Sequence, residues 1–285
     1  MSRPDVVTTV AELRTRVAAW RRDGARIGMV PTMGALHDGH LSLVEAARGG
    51  ADRVVVSIFV NPTQFAPTED LATYPRDLDG DLAKLAGAGV DLVFAPETGE
   101  MYPEGAATTV TVGGPAVGLE SDARPHFFAG VATVVTKLFA QCLPDVAYFG
   151  EKDFQQLAVI RRLTRDLSLP VSVEGRPTVR EPDGLAMSSR NVYLNADSRS
   201  RAPALYAALT RAAAAIGEGL PSEAAVAAAA ADIAAAGFAI DYVEHRDAET
   251  LGRPEPGRPG RLLVAARIQE VRLIDNIATP NYRQL

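Results

Sequence analysis

Along the first two thirds of the chain, short runs that are apolar at nearly every position alternate with longer amphipathic stretches. The runs occupy 26–31 (RIGMVP), 53–60 (RVVVSIFV), 91–95 (DLVFA), 145–149 (DVAYF) and 171–179 (VSVEGRPTV). Near-continuous rather than alternating apolar character marks strands covered on both faces. The stretches at 41–48, 77–87, 131–143 and 154–166 predict helices. A β-α-β-α rhythm implies parallel strands joined by right-handed crossovers, so the expected fold class is α/β, with a doubly wound, Rossmann-like parallel sheet.

Two regions break this rhythm. Residues 96–130 are rich in Gly and Pro and contain a β-like TTVTV, which predicts an excursion beside the face that carries the chemistry. After Arg190 the chain becomes Ala-rich, and 203–217 and 221–236 predict helices, the second introduced by Pro221-Ser222-Glu223. Two β-type runs follow, at 239–244 and 261–274, separated by the loop GRPEPGRPG. The expected division is therefore a Rossmann-like domain over 1–182 and a smaller C-terminal α+β domain over 183–285.

Composition narrows the class. Of the 285 residues, 47% are apolar and 22% charged, and the formal net charge is −6. That balance fits a folded globular chain and disfavours a nucleic-acid partner, which calls for a basic surface, but it leaves room for a small anionic ligand. Cys142 is the single cysteine, so an intramolecular disulfide and a cysteine zinc site are both excluded. The first twenty residues lack the apolar core of a signal peptide, and Asp232 and Gly237 interrupt the Ala-rich run near 230. A cytoplasmic protein with no membrane partner is expected.

In open parallel sheets, ligands bind beyond the carboxyl ends of the strands. Four polar clusters fall at such ends: 32–40, with His37 and His40; Asn61 to Gln64; Gly150-Glu151-Lys152-Asp153; and Met187-Ser188-Ser189-Arg190-Asn191. The histidine pair admits three readings: helix capping or packing, contact with phosphate at a helix N-terminus, or a metal site. Lys152 suits a phosphate or a surface ion pair, and Ser188, Ser189 and Arg190 suit phosphate oxygens or a helix cap. Asn61 and Gln64 offer uncharged donors and acceptors to a polar substrate, or form an ordinary Asx-type turn, which suits Asn61 better than Gln64, and Gln156 lies one helical turn beyond Lys152. Neither a Walker-type phosphate loop nor a Gly-x-Gly-x-x-Gly fingerprint stands at a suitable position.

With these clusters in view, the chain resembles the pantoate–β-alanine ligase family along almost its whole length. The carrying segments are PTMGALHDGH at 31–40, FVNPTQF at 59–65, YPRD at 74–77, FGEKDFQQL at 149–157, TVRE at 178–181, GLAMSSRNVYL at 184–194, LLVAAR at 262–267 and DNI at 275–277. HDGH is similar to the His-x-Gly-His signature of the adenylyl-transferring superfamily, and MSSRN to its mobile phosphate-binding counterpart. The resemblance implies that ATP, with Mg²⁺, activates pantoate as an adenylate, which the amine of β-alanine then attacks. It also implies a homodimer, with the C-terminal domain as a lid.

By position, the resemblance places Pro31, Met33, Gly34, Ala35, Leu36, His37, Asp38, Gly39 and His40 on ATP, with His40 the principal catalytic imidazole and His37 beside it. Gly150, Glu151, Lys152 and Asp153 are implied in ATP binding, Lys152 on phosphate and Asp153 on ribose. Val179 is implied at adenine through its backbone, while Met187, Ser188, Ser189 and Arg190 close on the nucleotide; the catalytic set is His37, His40, Lys152, Ser188, Ser189 and Arg190. Gln64, Gln156 and Asn61 are implied at pantoate, Gln64 also at β-alanine, and Asp81 at the metal. The chain departs from the family pattern twice, at Gly80, where an acid is usual, and at Phe127, where a histidine is usual and His126 stands one place earlier. His126 is given no role. Two other functions fit the nucleotide motifs: a nucleotidyltransferase of the same superfamily, or a non-catalytic nucleotide-binding regulatory module.

Overall fold

The computed structural model describes residues 3–66 and 71–280. The elements in chain order are β1 (Asp5–Val7), α1 (Val10–Arg22), β2 (Ile27–Thr32), α2 (Asp38–Gly50), β3 (Arg53–Ile58), α3 (Leu78–Ala88), β4 (Leu92–Phe94), α4 (Thr98–Met101), α5 (Glu120–Ala123), α6 (Phe127–Cys142), β5 (Val146–Gly150), α7 (Phe154–Asp166), β6 (Ser172–Arg176), α8 (Ala196–Arg201), α9 (Ala204–Gly217), α10 (Ser222–Ala235), β7 (Ala239–Asp247), β8 (Gly260–Ile268) and β9 (Val271–Thr279). They form two compact units. The first comprises 1–112, 124–151 and 159–177, the second 113–123, 152–158 and 178–285.

The first unit contains a six-stranded parallel sheet of order β1-β4-β3-β2-β5-β6. From β2 the chain moves outward through β3 and β4, then returns to place β5 on the other side of β2. The strand order thus reverses at the β2/β5 pair, the topological position where a doubly wound sheet opens a ligand crevice. Val30, Val54, Val56, Val93 and Val146 on the strands pack with Leu43, Val44, Leu82 and Leu85 on α2 and α3 in one buried cluster. Met29, Val55 and Leu92, at the alternate strand positions that face the other way, are fully buried as well, and cover on both faces makes the apolar runs continuous. The pattern missed β1 and α1. β1 has only three residues, and α1 buries only Leu13 and Val17 while its N-terminus is fixed locally by the Thr9–Glu12 capping box. Cys142, on α6, is fully buried, and that burial pushes its thiol up to about 12, so it stays protonated at neutral pH.

The second unit is built on the antiparallel sheet β7-β8-β9. Alanines and aliphatic residues of α9 and α10 pack on Leu262, Val264, Ala266 and Leu273. The single run expected over 261–274 is corrected to a hairpin: β8 ends at Ile268, β9 begins at Val271, and Ile268 pairs with Val271. Gln269 turns the chain with φ 51, a left-handed position taken without Gly, which hid the turn within an apolar run. Two smaller extents also differ. The TTVTV stretch at 108–112 forms no strand, and β6 is shorter than the 171–179 run.

Within this unit, 113–123 is tied down by polar groups. The Gln155 side chain donates to the Pro115 and Gly118 carbonyls at 3.0 and 3.1 Å and accepts from the Glu120 N–H at 3.1 Å. Glu120 accepts two bonds from Arg272, each 2.7 Å, and one from Tyr242 at 2.8 Å. Burial, reinforced by the Glu120 charge, pushes the Tyr242 phenol up, so it remains a donor.

Candidate active site

β2 runs into the turn that carries Met33 to His37, and α2 starts at Asp38 with His37 as its N-cap. The His37 Nδ1 accepts from the Gly39 N–H at 3.2 Å, and the His40 Nδ1 accepts from the His37 N–H at 3.4 Å. This is a capping box built from imidazoles, with ring centroids 4.2 Å apart. A nitrogen that accepts from a backbone N–H carries no proton, so in the neutral rings both protons sit on Nε2. Capping and contact with an anion are therefore compatible: Nδ1 serves the helix, and Nε2–H is the donor of each ring.

β3 leads into a short 3₁₀ turn, Pro62–Gln64, capped by Asn61. Asn61 is 1% exposed and Gln64 6%. The Asn61 Oδ1 accepts from the Thr63 N–H, the Thr63 hydroxyl and the Tyr102 hydroxyl, while its Nδ2 donates to the Gly130 carbonyl at 3.2 Å and to the Gln64 Oε1 at 2.9 Å. Because a backbone N–H can only donate and a carbonyl only accept, these partners fix which way the Asn61 amide points. Gln64 must then turn its oxygen to Asn61, and its Nε2 amino group is what it offers to a ligand. Gly130 makes the turn's close approach possible, since a Cβ there would lie 2.5 Å from the Thr63 oxygen. Burial raises the Tyr102 phenol above its ordinary value, so it donates to Asn61.

The departure at Phe127 has a structural counterpart. The Arg124 guanidinium lies over the Phe127 ring, 3.9 Å from its centroid, and donates to the Gln64 carbonyl at 3.0 Å. His126 is the residue before α6 and makes no side-chain cap bond there. The aromatic residue thus supports an arginine that reaches the amide turn.

β5 ends at Gly150, which with Glu151 belongs to the first unit; Lys152 and Asp153 belong to the second. The Lys152 ammonium is 3.8 Å from the Asp153 carboxylate. Of the paired glutamines on α7, Gln155 is consumed by 113–123, and the half-buried Gln156 is left for a ligand. The Val179 carbonyl accepts from the Met187 N–H at 3.0 Å, so these two residues are tied together. Ser188 caps the 3₁₀ turn Ser189–Tyr193, its Oγ accepting from the Arg190 N–H at 3.3 Å. A pocket within this unit is lined by Lys152, Ser188, Asn191, Tyr206 and Asp275, among others, which brings the lysine and serine clusters together.

Residues assigned no role from the sequence hold this arrangement. Arg180 pairs in a bidentate manner with Asp275 at 2.7 and 2.9 Å and stacks on Tyr206. The Asn276 amide donates to the Lys152 carbonyl at 2.8 Å. The Asn191 Nδ2 donates to Glu181 at 2.9 Å, and Arg199 bridges Glu181 and Asp183. The visible signal was a polar pair, Asp275-Asn276, inside the apolar strand VRLIDNIAT.

Asp81 does not fit the metal role expected of it. It is 2% exposed, and its two carboxylate oxygens accept from the Ala35 and Leu36 N–H groups at 2.9 and 2.8 Å. Gly80 supplies no side chain, and among the described residues no group of three or more His, Cys, Asp and Glu side chains is arranged to hold a metal ion.

Comparison with known proteins follows the same lines. The family model described as pantoate-beta-alanine ligase matches residues 5–278. The chain is 57% identical over 281 residues to the pantothenate synthetase of Mesorhizobium japonicum, covering 98% of this chain and 99% of that protein. It is 54% identical over 283 residues to that of Caulobacter vibrioides, with 98% and 99% covered. A solved pantothenate synthetase from Thermus thermophilus superposes with a TM-score of 0.88 at 52% identity, covering 96% of this chain and 98% of that one. The pantoate-beta-alanine ligase of Francisella tularensis, complexed with beta-gamma ATP and beta-alanine, superposes with a TM-score of 0.80 at 33% identity, covering 96% and 97%. Among the described residues, no helix is long and apolar enough to cross a membrane.

Proposed function

The chain belongs to the pantoate–β-alanine ligase family, and on that premise we propose that the imidazoles, amides and hydroxyls described above carry its ATP-dependent ligation by way of a pantoyl adenylate. In the first step a carboxylate oxygen of pantoate attacks the α-phosphorus of ATP, and pyrophosphate leaves. In the second, the amine nitrogen of β-alanine attacks the acyl carbon, the C–O bond to phosphate breaks, and AMP departs with that oxygen. The amine gives up a proton, and pantothenate is released.

Negative charge builds on phosphate oxygens during adenylation, so donors fixed in advance lower the barrier. His40 and His37 supply Nε2–H donors on ATP, beside the backbone of Pro31 and of Met33 to Gly39. Gln64, through its Nε2 amino group, and Gln156 bind the carboxylate and hydroxyls of pantoate, and Gln64 also serves β-alanine. Asn61, expected at pantoate too, has both amide protons engaged by Gly130 and Gln64 and instead orients the Gln64 amide. Gly150 and Glu151 bind ATP, Lys152, Ser188, Ser189 and Arg190 its phosphates, Asp153 the ribose, and Val179 and Met187 the base. The reciprocal cap of His37 and His40 carries this reading, because it sets both rings in the tautomer that donates. Magnesium is given no ligand in this chain. A cytoplasmic location and a homodimer belong to the same proposal, the homodimer on family resemblance.

Incubation with ATP, Mg²⁺ and pantoate, with and without β-alanine, tests the reading. AMP and pantothenate should accumulate together, and only with β-alanine present. AMP release indifferent to β-alanine contradicts the ligase, and no turnover at all favours a binding module.

A further inference from the structure

The turn before His37 has an unusual backbone. Gly34 and Ala35 are both left-handed, with φ 82 and 52, and Ala35 carries a side chain there. A non-glycine residue holds such a conformation only where its surroundings over-determine it. Successive N–H groups in such turns converge into a concavity that attracts an anion. Here the anion is internal: one Asp81 oxygen takes the Ala35 N–H and the other takes the Leu36 N–H. A Cβ on Gly34 would lie 3.0 Å from that carboxylate and 3.2 Å from Ile58, a tight fit at a left-handed φ that favours glycine. Lys84, three residues along α3, donates its ammonium to the Leu36 carbonyl at 2.6 Å. Residues three apart share a helix face. α3 therefore offers an anion to the donors of this turn and a cation to its acceptor, while the Leu36 side chain is buried in the core.

We propose that Asp81 and Lys84 are positioning residues for nucleotide binding. They hold 34–36 in the form that delivers His37 and His40, and Asp81 spends both oxygens on that task rather than on a metal ion. The inference rests on the ATP reading above and assigns α3 a part in it that is independent of magnesium.

Two measurements on the full chain test it. Calorimetric titration with α,β-methylene-ATP compares wild type, Asp81→Asn and Lys84→Met, in Mg²⁺ and in excess EDTA. Asp81→Asn should weaken binding about tenfold or more in both media, as expected on losing a charge-assisted bond and placing an amide donor against a backbone N–H. Lys84→Met should weaken it about threefold to tenfold in both. Loss confined to the magnesium arm would show that Asp81 is a metal ligand and overturn the proposal, as would no loss in either arm. The second measurement is amide hydrogen exchange at Ala35 and Leu36 without ligand. Both should exchange at least about tenfold faster in either variant, with Lys84→Met serving where Asp81→Asn fails to fold. Unchanged exchange in a folded variant overturns the clamp even if the wild type proves not to be a ligase. A wild type without ligase activity but with accelerated exchange in the variants removes the functional reading and leaves the clamp standing.

Discussion

In the first unit His37, His40, Asn61 and Gln64 are oriented by short-range bonds to backbone groups and to one another, whereas in the second unit the segment carrying 187–190 is held by guanidinium–carboxylate pairs. Around these four side chains the caps are neutral imidazoles, amides and hydroxyls, with the Asp81 carboxylate serving the turn before His37. In the second, Arg180 meets Asp275 across a nearly dry contact, and Arg199 joins Glu181 and Asp183 nearer the surface. The difference lies in what a mutation leaves behind. Removing a neutral cap leaves an unpaired dipole, at about 1–3 kcal/mol where it is buried, while removing one member of a buried pair strands a charge, at about 3–5 kcal/mol.

The largest expected effect follows from that contrast. Arg180→Met leaves the Asp275 carboxylate, 3% exposed, without its partner, and should cost about 3–5 kcal/mol in urea unfolding. A cost no greater than that of removing a neutral hydroxyl would erase the contrast between the units. Next comes His40→Ala, which should lower kcat by about two to three powers of ten in a folded variant, the range for losing one transition-state donor. Near-normal turnover would mean that the imidazole only caps.

A neutral group inside the charged unit sharpens the comparison. His245 sits between the Ser222 and Thr279 hydroxyls at 2.7 and 3.0 Å, and burial holds its pKa below the ordinary histidine value. On acidification the unfolded chain takes up this proton before the folded one does. Its stabilising contribution is therefore complete above the unfolded pKa and is lost as pH falls from there through the folded value, by at most about 1.4 kcal/mol per pH unit. His245→Gln should flatten the thermal-stability profile in that window, and an unchanged slope would assign the acid sensitivity elsewhere.

The smallest effect belongs to Tyr102→Phe. It removes one of three donors to the Asn61 Oδ1 and should cost about 0.5–1.5 kcal/mol of stability. Steady-state kinetics should show a higher KM for pantoate with kcat little changed, because the relay orients Gln64 without touching the reacting atoms. A fall in kcat with KM unchanged would contradict that relay.

The fold was legible where burial on both faces imposes a continuous apolar run, as in β2, β3, β4 and β5. It was illegible where three residues make a strand, as in β1, or where a non-glycine turn at Gln269 lies inside an apolar stretch. The site divides in the same way. Its candidate side chains announce themselves by standing at strand ends, as His37, Gln64 and Lys152 do. The residues that orient them do not, because their roles come from partners distant in sequence: Tyr102 lies 41 positions from Asn61, Asp81 lies 45 from Leu36, and Arg180 lies 95 from Asp275. Asp81 drew a metal reading from the family resemblance, since the backbone N–H groups it serves, at Ala35 and Leu36, lie 46 and 45 positions away.

The chemistry itself is tested most directly by isotope transfer. Pantoate labelled with ¹⁸O in its carboxylate, turned over with ATP and β-alanine, should yield AMP carrying one ¹⁸O, the oxygen that bridged acyl carbon and phosphorus in the adenylate. Unlabelled AMP, or label found in inorganic phosphate beside ADP, would contradict attack at the α-phosphorus.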